Sequence, residues 1–230
     1  MSWAEYWNHE TSLYVNERHR RLHYDLVTRD VLKHVPTAAA RVLDYGCGDT
    51  LTARRLARAC SHLMLCDAAP RVRAHLLARY ADQPNITVIT PEALRALPPM
   101  ALDLIIVNSV VQYLSRAQFM ELLDLAHATL APGGRLLLGD IVPRWVGPSR
   151  DAVELIKFAA GNGFLLPALV GLVRSFFSAY RRTRERAGFL RFDEAEIVSL
   201  LSERGFQPHR QRHNIGHNAA RMTFLAVAAS

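Results

Sequence analysis

A chain of 230 residues, 50% hydrophobic and 21% charged, is long enough for one domain with a substantial core and too short for two full-sized ones, and its composition excludes a disordered protein. The net charge of +7 is almost all arginine, because Lys33 and Lys157 are the only lysines. Arginine suits bidentate contact with carboxylate or phosphate, yet charge alone does not make a nucleic-acid protein, and biased residue usage on a solvated surface accounts for it equally.

In chain order, residues 1–35 read as a helical cap with Trp3, Tyr6, Trp7, Tyr14 and Tyr24 near its start. Met1–Glu10 is polar and aromatic and lacks the basic-then-apolar order of a secretory signal. From Arg41 to about Asp140, short β-rich runs alternate with helical patterns, as in βαβ units of a parallel sheet. The strands are expected at Arg41–Asp44, Leu63–Cys66, Ile86–Ile89, Leu102–Val107 and Arg135–Gly139. The helices between them are expected at Leu51–Ala59, Pro70–Tyr80, Pro91–Ala96 and Ser115–Leu130. Ser115 with Gln118 predicts a capping box, and Pro132-Gly133-Gly134 a turn into the fifth strand.

Residues 143–191 are too many for a simple connection and predict an insertion with helices of its own. Its most apolar part, Leu155–Val173, is interrupted by Lys157, Gly161, Asn162, Gly163 and Pro167, which argues against a membrane span. Asp193 with Glu196 reads as a helix start and Gly205 as its stop. The runs Gln207–His213 and Met222–Val227 are spaced for an antiparallel hairpin, so residues 192–230 complete a single domain whose cofactor-binding core is 36–142. The three cysteines, Cys47, Cys60 and Cys66, have no CxxC spacing; free thiols in a reducing cytoplasm are expected, and no metal.

The chemistry concentrates in Val42-Leu43-Asp44-Tyr45-Gly46-Cys47-Gly48-Asp49-Thr50, where a buried strand runs into a loop with two glycines and then a helix. Glycines there permit positive φ and close backbone approach to a ligand, at the end of the strand where open parallel sheets bind ligands. A dinucleotide fingerprint would need glycine at the position that Leu51 occupies. Asp67 ends the second strand, where a carboxylate can accept from both hydroxyls of a ribose, so a nucleoside-containing ligand fits without pyrophosphate.

With Asp44, Gly46, Gly48, Asp67, Glu92 and Pro132-Gly133-Gly134 in these places, the chain resembles the class I S-adenosylmethionine-dependent methyltransferases from about Arg41 to Asp140 and more loosely to its end. The resemblance implies a doubly wound, mostly parallel seven-stranded sheet, with S-adenosyl-L-methionine as cofactor and S-adenosyl-L-homocysteine as product. It places Gly46, Cys47 and Gly48 along the cofactor, Asp44 near its amino group, Asp67 on the ribose, Ala68 and Glu92 beside the adenine, and Asn108 and Ser109 beside the sulfonium. Glu92 reads equally as a solvated helix-start acid. In many relatives an N-terminal helix closes the pocket, and the region from Tyr14 to Tyr24 corresponds to it.

Displacement from an activated sulfonium needs alignment more than a catalytic triad, and a hydroxyl or protonated-amine acceptor would add a general base. His217, His213, His19, His23 and Tyr14 are candidates; the stretch Arg212–Asn218 reads at least as well as a hairpin turn facing away from the cofactor. Asn108-Ser109-Val110-Val111 is not the (Asn/Asp)-Pro-Pro-Tyr motif of the enzymes that methylate exocyclic or amide nitrogens. The insertion carries Phe158, Phe164, Leu165, Leu166, Leu169, Val170, Leu172, Val173, Phe176 and Phe177, with Arg174, Arg181, Arg182, Arg184, Arg186 and Arg191 and Glu185 as the only acid among these. It reads as an acceptor lid with peripheral membrane contact through 155–191, or as a helix pair burying its own core. The expected function is methyl transfer to a small apolar or amphipathic molecule. An RNA or protein methyltransferase and a non-catalytic cofactor-binding protein are the alternatives, and oligomeric state stays open.

Overall fold

Apolar residues sit on both faces of the central strands, so the sheet must be covered on both sides. In the computed structural model, which describes residues 14–176 and 189–229, they feed two separate cores. The expectations for Trp3, Tyr6, Trp7, Phe177, Arg181, Arg182, Arg184 and Arg186 lie outside the described residues, as do the side chains of Arg174 and Phe176.

The strands are β1 (Arg41–Tyr45), β2 (His62–Cys66), β3 (Ile86–Ile89), β4 (Leu102–Asn108), β5 (Leu130–Ile141), β6 (Phe206–Arg210) and β7 (Met222–Ala228), joined in one sheet of order β3-β2-β1-β4-β5-β7-β6. The first five run parallel; β7 enters antiparallel between β5 and β6. Strand order reverses at the β1–β4 pair, where Val42 lies opposite Leu104 and Tyr45 opposite Val107. That reversal opens a crevice beyond the carboxyl ends of the two strands.

Leu43, Ile105, Val107, Leu136 and Leu138 face one core, filled by Phe119 and Leu123 of α5 (Arg116–Thr129) and by Ile197 and Leu201 of α8 (Glu194–Ser202). Val42, Leu104, Ile106 and Leu137 face the other. It is filled by Val31 of α1 (Glu17–Leu32), Leu56 of α2 (Ala53–Ala57), and Leu76 and Tyr80 on and after α3 (Pro70–Arg79). The short α4 (Pro91–Arg95) follows β3, with Thr90 capping it through Ala93 N at 3.2 Å.

Local signals hold where hydrogen bonds are short-range. The Ser115–Gln118 capping box forms both of its bonds, at 3.2 and 2.8 Å. Three expected boundaries move. The helix expected at Leu51–Ala59 is one turn longer in pattern than in fact, because Thr50 takes a positive φ of 24° to complete the glycine loop. Leu130 leaves the helix early to pair with Leu102, so Pro132-Gly133-Gly134 forms a bulge inside β5 rather than a turn before it. The hairpin strand ends at Arg210, not His213, and the following loop folds back over the sheet.

The insertion forms α6 (Pro148–Gly161) and α7 (Leu165–Phe176). Ala159, Phe164 and Ala168 bury against Val15 and Leu22 of the N-terminal segment, so the pair takes its core from α1 as well as from itself. Leu166, Val170 and Val173 on the outer side of α7 are 72%, 45% and 65% exposed. Arg221 donates to Asp151 across 2.9 Å and Asn218 does so across 3.0 Å, fastening α6 to the loop before β7. Among the described residues no helix is long and apolar enough to cross a membrane.

Candidate active site

The crevice begins at the loop after β1. Gly46 and Gly48 adopt φ of 68° and 55°, and the amides of Gly46 and Cys47 both donate to the Cys66 carbonyl, at 2.7 and 3.2 Å. The loop is thereby tied to the end of β2. A Cβ on Gly46 would stand 2.5 Å from Val110 Cγ2, so position and conformation both require glycine.

Asp67 is fixed by two backbone donors, Gly48 N at 3.0 Å and Ala69 N at 2.8 Å. Burial nevertheless raises its pKa, against those bonds and against Arg73. Asp44 lies beneath the same loop, and burial together with the Asp67 charge pushes it up to about 7. Two carboxylates without a cation between them are costly, and a cationic ligand in this crevice relieves both.

Helix α1 roofs the loop. Arg20 Nη2 bonds Asp49 Oδ2 at 2.8 Å, Thr28 bonds Thr52, and the Tyr24 hydroxyl lies 3.4 Å from where a Cβ on Gly48 would be.

At the ends of β4 and β5, Ser109 and Asp140 hold φ of 59° and 60°, and the Ser109 hydroxyl donates to Asp140 Oδ2 across 2.9 Å. Asn108 Nδ2 donates to Ser109 Oγ at 3.2 Å, and Gln112 Nε2 donates to the Ser109 carbonyl at 2.9 Å. Asn108 Oδ1 and Gln112 Oε1 are buried with no hydrogen-bond partner among the described residues. Such acceptors are expensive to leave unsatisfied, and they mark where a ligand donor belongs. Gly139 has no room for a Cβ beside Asn108 Oδ1.

A ring cluster closes the far end. His217 stacks on Phe158 at 4.6 Å, and His19 on Phe164 at 5.1 Å. His217 lies 6.1 Å from both His19 and His23, with Tyr14 beside His23 at 5.4 Å. Burial, with the neighbouring histidines, brings His19 down to about 4 and His23 to about 3. Burial lowers His217 as well, but there Asp140 and Glu154 pull upward while Arg221 opposes them. All three imidazoles are neutral at neutral pH. Burial also raises the Tyr14 and Tyr24 phenols.

These parts line one cavity of about 570 Å³. Asp44, Gly46, Cys47, Gly48, Asp67, Ala68, Glu92, Asn108 and Ser109 all reach it, as do Tyr14, His19 and His217. His213 is exposed and does not. The expectation that the final hairpin faces away from the cofactor is thereby corrected: the loop after β6 folds back, held by Asn214 Oδ1 on Asp140 N at 3.1 Å, and carries His217 to the wall. The lid reading of the insertion also changes. Of its described residues only Phe189 lines the cavity; Phe158 and Phe164 act from behind, against His217 and His19.

Asp140 and Arg221, which the sequence reading passed over, line the wall as well. Asp140 ends a parallel strand and was findable by that rule; Arg221 carries no local signal. Cys47, Cys60 and Cys66 are free thiols. Among the described residues no three histidine, cysteine or acidic side chains are grouped to hold a metal.

Sheet order, glycine loop and paired carboxylates define an α/β protein with an acidic ligand crevice at its switch point. A methyltransferase-domain family model matches residues 42–134. A ubiquinone biosynthesis O-methyltransferase of Xylella fastidiosa is 32% identical over 207 residues, covering 87% of this chain and 78% of that protein. Among solved structures, magnesium protoporphyrin IX methyltransferase of Synechocystis with bound SAM superposes with a TM-score of 0.61 at 15% identity, over 99% of this chain and 89% of the other. The N-methyltransferase NodS of Bradyrhizobium japonicum with S-adenosyl-L-homocysteine does so with a TM-score of 0.55 at 21% identity, over 92% and 87%. The chain belongs to the S-adenosylmethionine-dependent methyltransferases.

The site fits that cofactor. Asp67, held by Gly48 N, would accept from ribose hydroxyls, Asp44 would balance cationic charge, and the positive-φ glycines would admit close approach. The unpartnered Asn108 Oδ1 and Gln112 Oε1 offer acceptors for a ligand donor. Bound there, the cofactor supplies an electrophilic methyl group on a sulfonium.

Proposed function

We propose that this enzyme transfers methyl to a hydroxyl oxygen of a small apolar or amphipathic molecule. The observation that carries the reading is the aromatic lining of the cavity: Tyr14, His23, Tyr24, Tyr113, Phe189 and His217 suit a flat apolar acceptor bearing a hydroxyl. The O-methyltransferase relative supports oxygen as the acceptor atom.

A macromolecular acceptor fits less well, because α1 roofs the crevice and many arginines are occupied by carboxylates. Arg41 pairs with Asp103, Arg54 with Asp82, Arg116 with Glu196 and Arg204 with Asp124, which breaks up the basic surface that RNA would need. The exposed apolar stripe of α7, ahead of an arginine-rich stretch of sequence, supports contact with an anionic lipid surface, where an amphipathic acceptor would be found.

The test is S-adenosylhomocysteine formation with panels of alkyl-substituted phenols, amines and carboxylic acids, alongside RNA and protein acceptors. Turnover confined to phenols supports the reading. Turnover only of amines, RNA or protein removes it, and cofactor binding with no turnover of anything favours a non-catalytic protein.

A further inference from the structure

We propose that His217 is the general base of this enzyme: a ring nitrogen of His217 takes the proton of the acceptor hydroxyl as the oxygen attacks the methyl carbon. The inference rests on hydroxyl methylation as the reaction and says which side chain makes the oxygen nucleophilic.

Three imidazoles share the far wall, and their surroundings separate them. His19 Nδ1 already receives Val15 N, its ring lies flat on Phe164, and it is 5% exposed. His23 and His217 both line the cavity, and neither has a ring nitrogen hydrogen-bonded to a described residue. Around His23 stand Tyr14, Tyr24 and two other imidazoles, and among the described residues no carboxylate acts on it to favour its protonated form. Around His217 the charged groups are Asp140, Glu154 and Asp151, which favour an imidazolium, and Arg221, which does not. Arg221 is held by Asp151 at 2.9 Å and stands 3.7 Å from Asp140, and Lys157 holds Glu154 at 2.9 Å, so the three carboxylates exceed these two cations by one charge. A proton taken up during the reaction is therefore best accommodated at His217.

The ring is also held in place. Its face is fixed on Phe158, and the backbone on either side is pinned by Gly216 N to Asp30 Oδ2 at 3.4 Å, Ile215 N to Thr223 Oγ1 at 3.0 Å, and Asn214 Nδ2 to the Asn218 carbonyl at 3.0 Å. A base on a mobile loop would lose the advantage of orientation. Asp140 joins this loop to the Ser109 end of β4, so base and methyl-donor ends of the cavity share one hydrogen-bonded frame.

The step balances. The acceptor oxygen forms a C–O bond to the methyl carbon, the S–C bond breaks with its electron pair remaining on sulfur, and the O–H proton moves to the imidazole. One positive charge leaves as the sulfonium is consumed and one appears on His217; the imidazolium later returns its proton to water.

The closing experiment compares 4-pentylphenol with its 2-nitro and 2,6-dinitro derivatives in wild type, His217→Asn and His23→Asn, with S-adenosylhomocysteine titrated calorimetrically into each. We expect His217→Asn to lower kcat on the unactivated phenol about 100-fold or more, the usual worth of a general base. Loss should shrink to a few-fold on the dinitrophenol, which is already ionised, with cofactor affinity unchanged. An equal loss on every phenol, or the graded loss appearing in His23→Asn instead, overturns the assignment to His217 while leaving hydroxyl methylation intact. No turnover of any phenol by the wild type, with cofactor bound, overturns both. Should His217→Asn not fold, His217→Gln takes its place in the comparison; in addition, a wild-type kcat on the unactivated phenol that rises about tenfold per pH unit towards the phenol's own pKa, instead of staying flat above neutral pH, overturns the assignment.

Discussion

The Ser109 hydroxyl bonds Asp140 Oδ2 across 2.9 Å while both residues hold positive φ at the ends of adjacent parallel strands. Left-handed backbone at a non-glycine residue costs about 1–3 kcal/mol and persists only where the surroundings enforce it. Here the bond between the two side chains, with Asn214 on Asp140 N, does the enforcing. Ser109→Gly keeps the conformation open and is expected to melt close to wild type. Ser109→Val, which loses the hydroxyl and adds β-branching, is expected to cost about 1–3 kcal/mol in denaturant unfolding.

Asp67 meets Gly48 N and Ala69 N and still faces the cavity. Its removal takes a charged acceptor from the ribose position and strands two amides. At about 1.5–3 kcal/mol for hydrogen bonds to a charged group, Asp67→Ala should weaken S-adenosylhomocysteine binding about 10- to 100-fold by calorimetry. Unchanged affinity would mean the cofactor lies elsewhere.

Asp44, raised to about 7 by burial and by Asp67, sets a pH dependence. A cationic ligand prefers it ionised, so binding releases a proton below about pH 7 and tightens as pH rises through that value. In the ligand-free protein the sign is opposite. Because its folded pKa lies above its unfolded one, the penalty is absent below about pH 4, grows as pH rises, and is complete above about 7. Asp44→Asn is therefore expected to raise Tm at pH 8 without ligand, to weaken cofactor binding, and to flatten its pH dependence.

His19 and His23, depressed to about 4 and about 3, act on stability from the acid side. The folded state binds fewer protons than the unfolded one below the ordinary histidine pKa of about 6.5, so stability present above that pH is lost progressively as pH falls. Asp44 acts in the opposite direction over the same range, so it is in Asp44→Asn that Tm should drop between pH 7 and 5, and His23→Phe added to that variant should reduce the drop. A Tm of Asp44→Asn independent of pH over this range would show that water reaches the cluster.

Gly139 has no room for a Cβ beside Asn108 Oδ1. Gly139→Ala should push the amide aside and weaken S-adenosylhomocysteine binding. Gly139→Ala combined with Asn108→Ala should recover folding stability but not affinity, as thermal melts and calorimetry together would show. A neutral single substitution would mean the strand ends move freely.

The sequence by itself determined the α/β sheet and the cofactor end of the site, because both are written in adjacent residues. Apolar runs specify buried parallel strands; Gly46 and Gly48 specify a loop conformation; Asp67 follows directly on its strand. The histidine-lined wall opposite was decided only by tertiary structure. Tyr14, His23, Asp140, Phe158, His217 and Arg221 are scattered along the chain and meet through the fold-back of the loop after β6 and its attachment to α6 by Asp151. The same physics explains the two misjudged segments. Arg212–Asn218 has the composition of a hairpin turn, and its long-range bonds to Asp140, Asp30 and Asp151 turn it toward the cavity. The apolar residues of the insertion suggested a lid, but Phe158, Phe164 and Ala168 pack with Val15 and Leu22 behind the site's wall, while Leu166, Val170 and Val173 face outward and Phe189 lines the cavity.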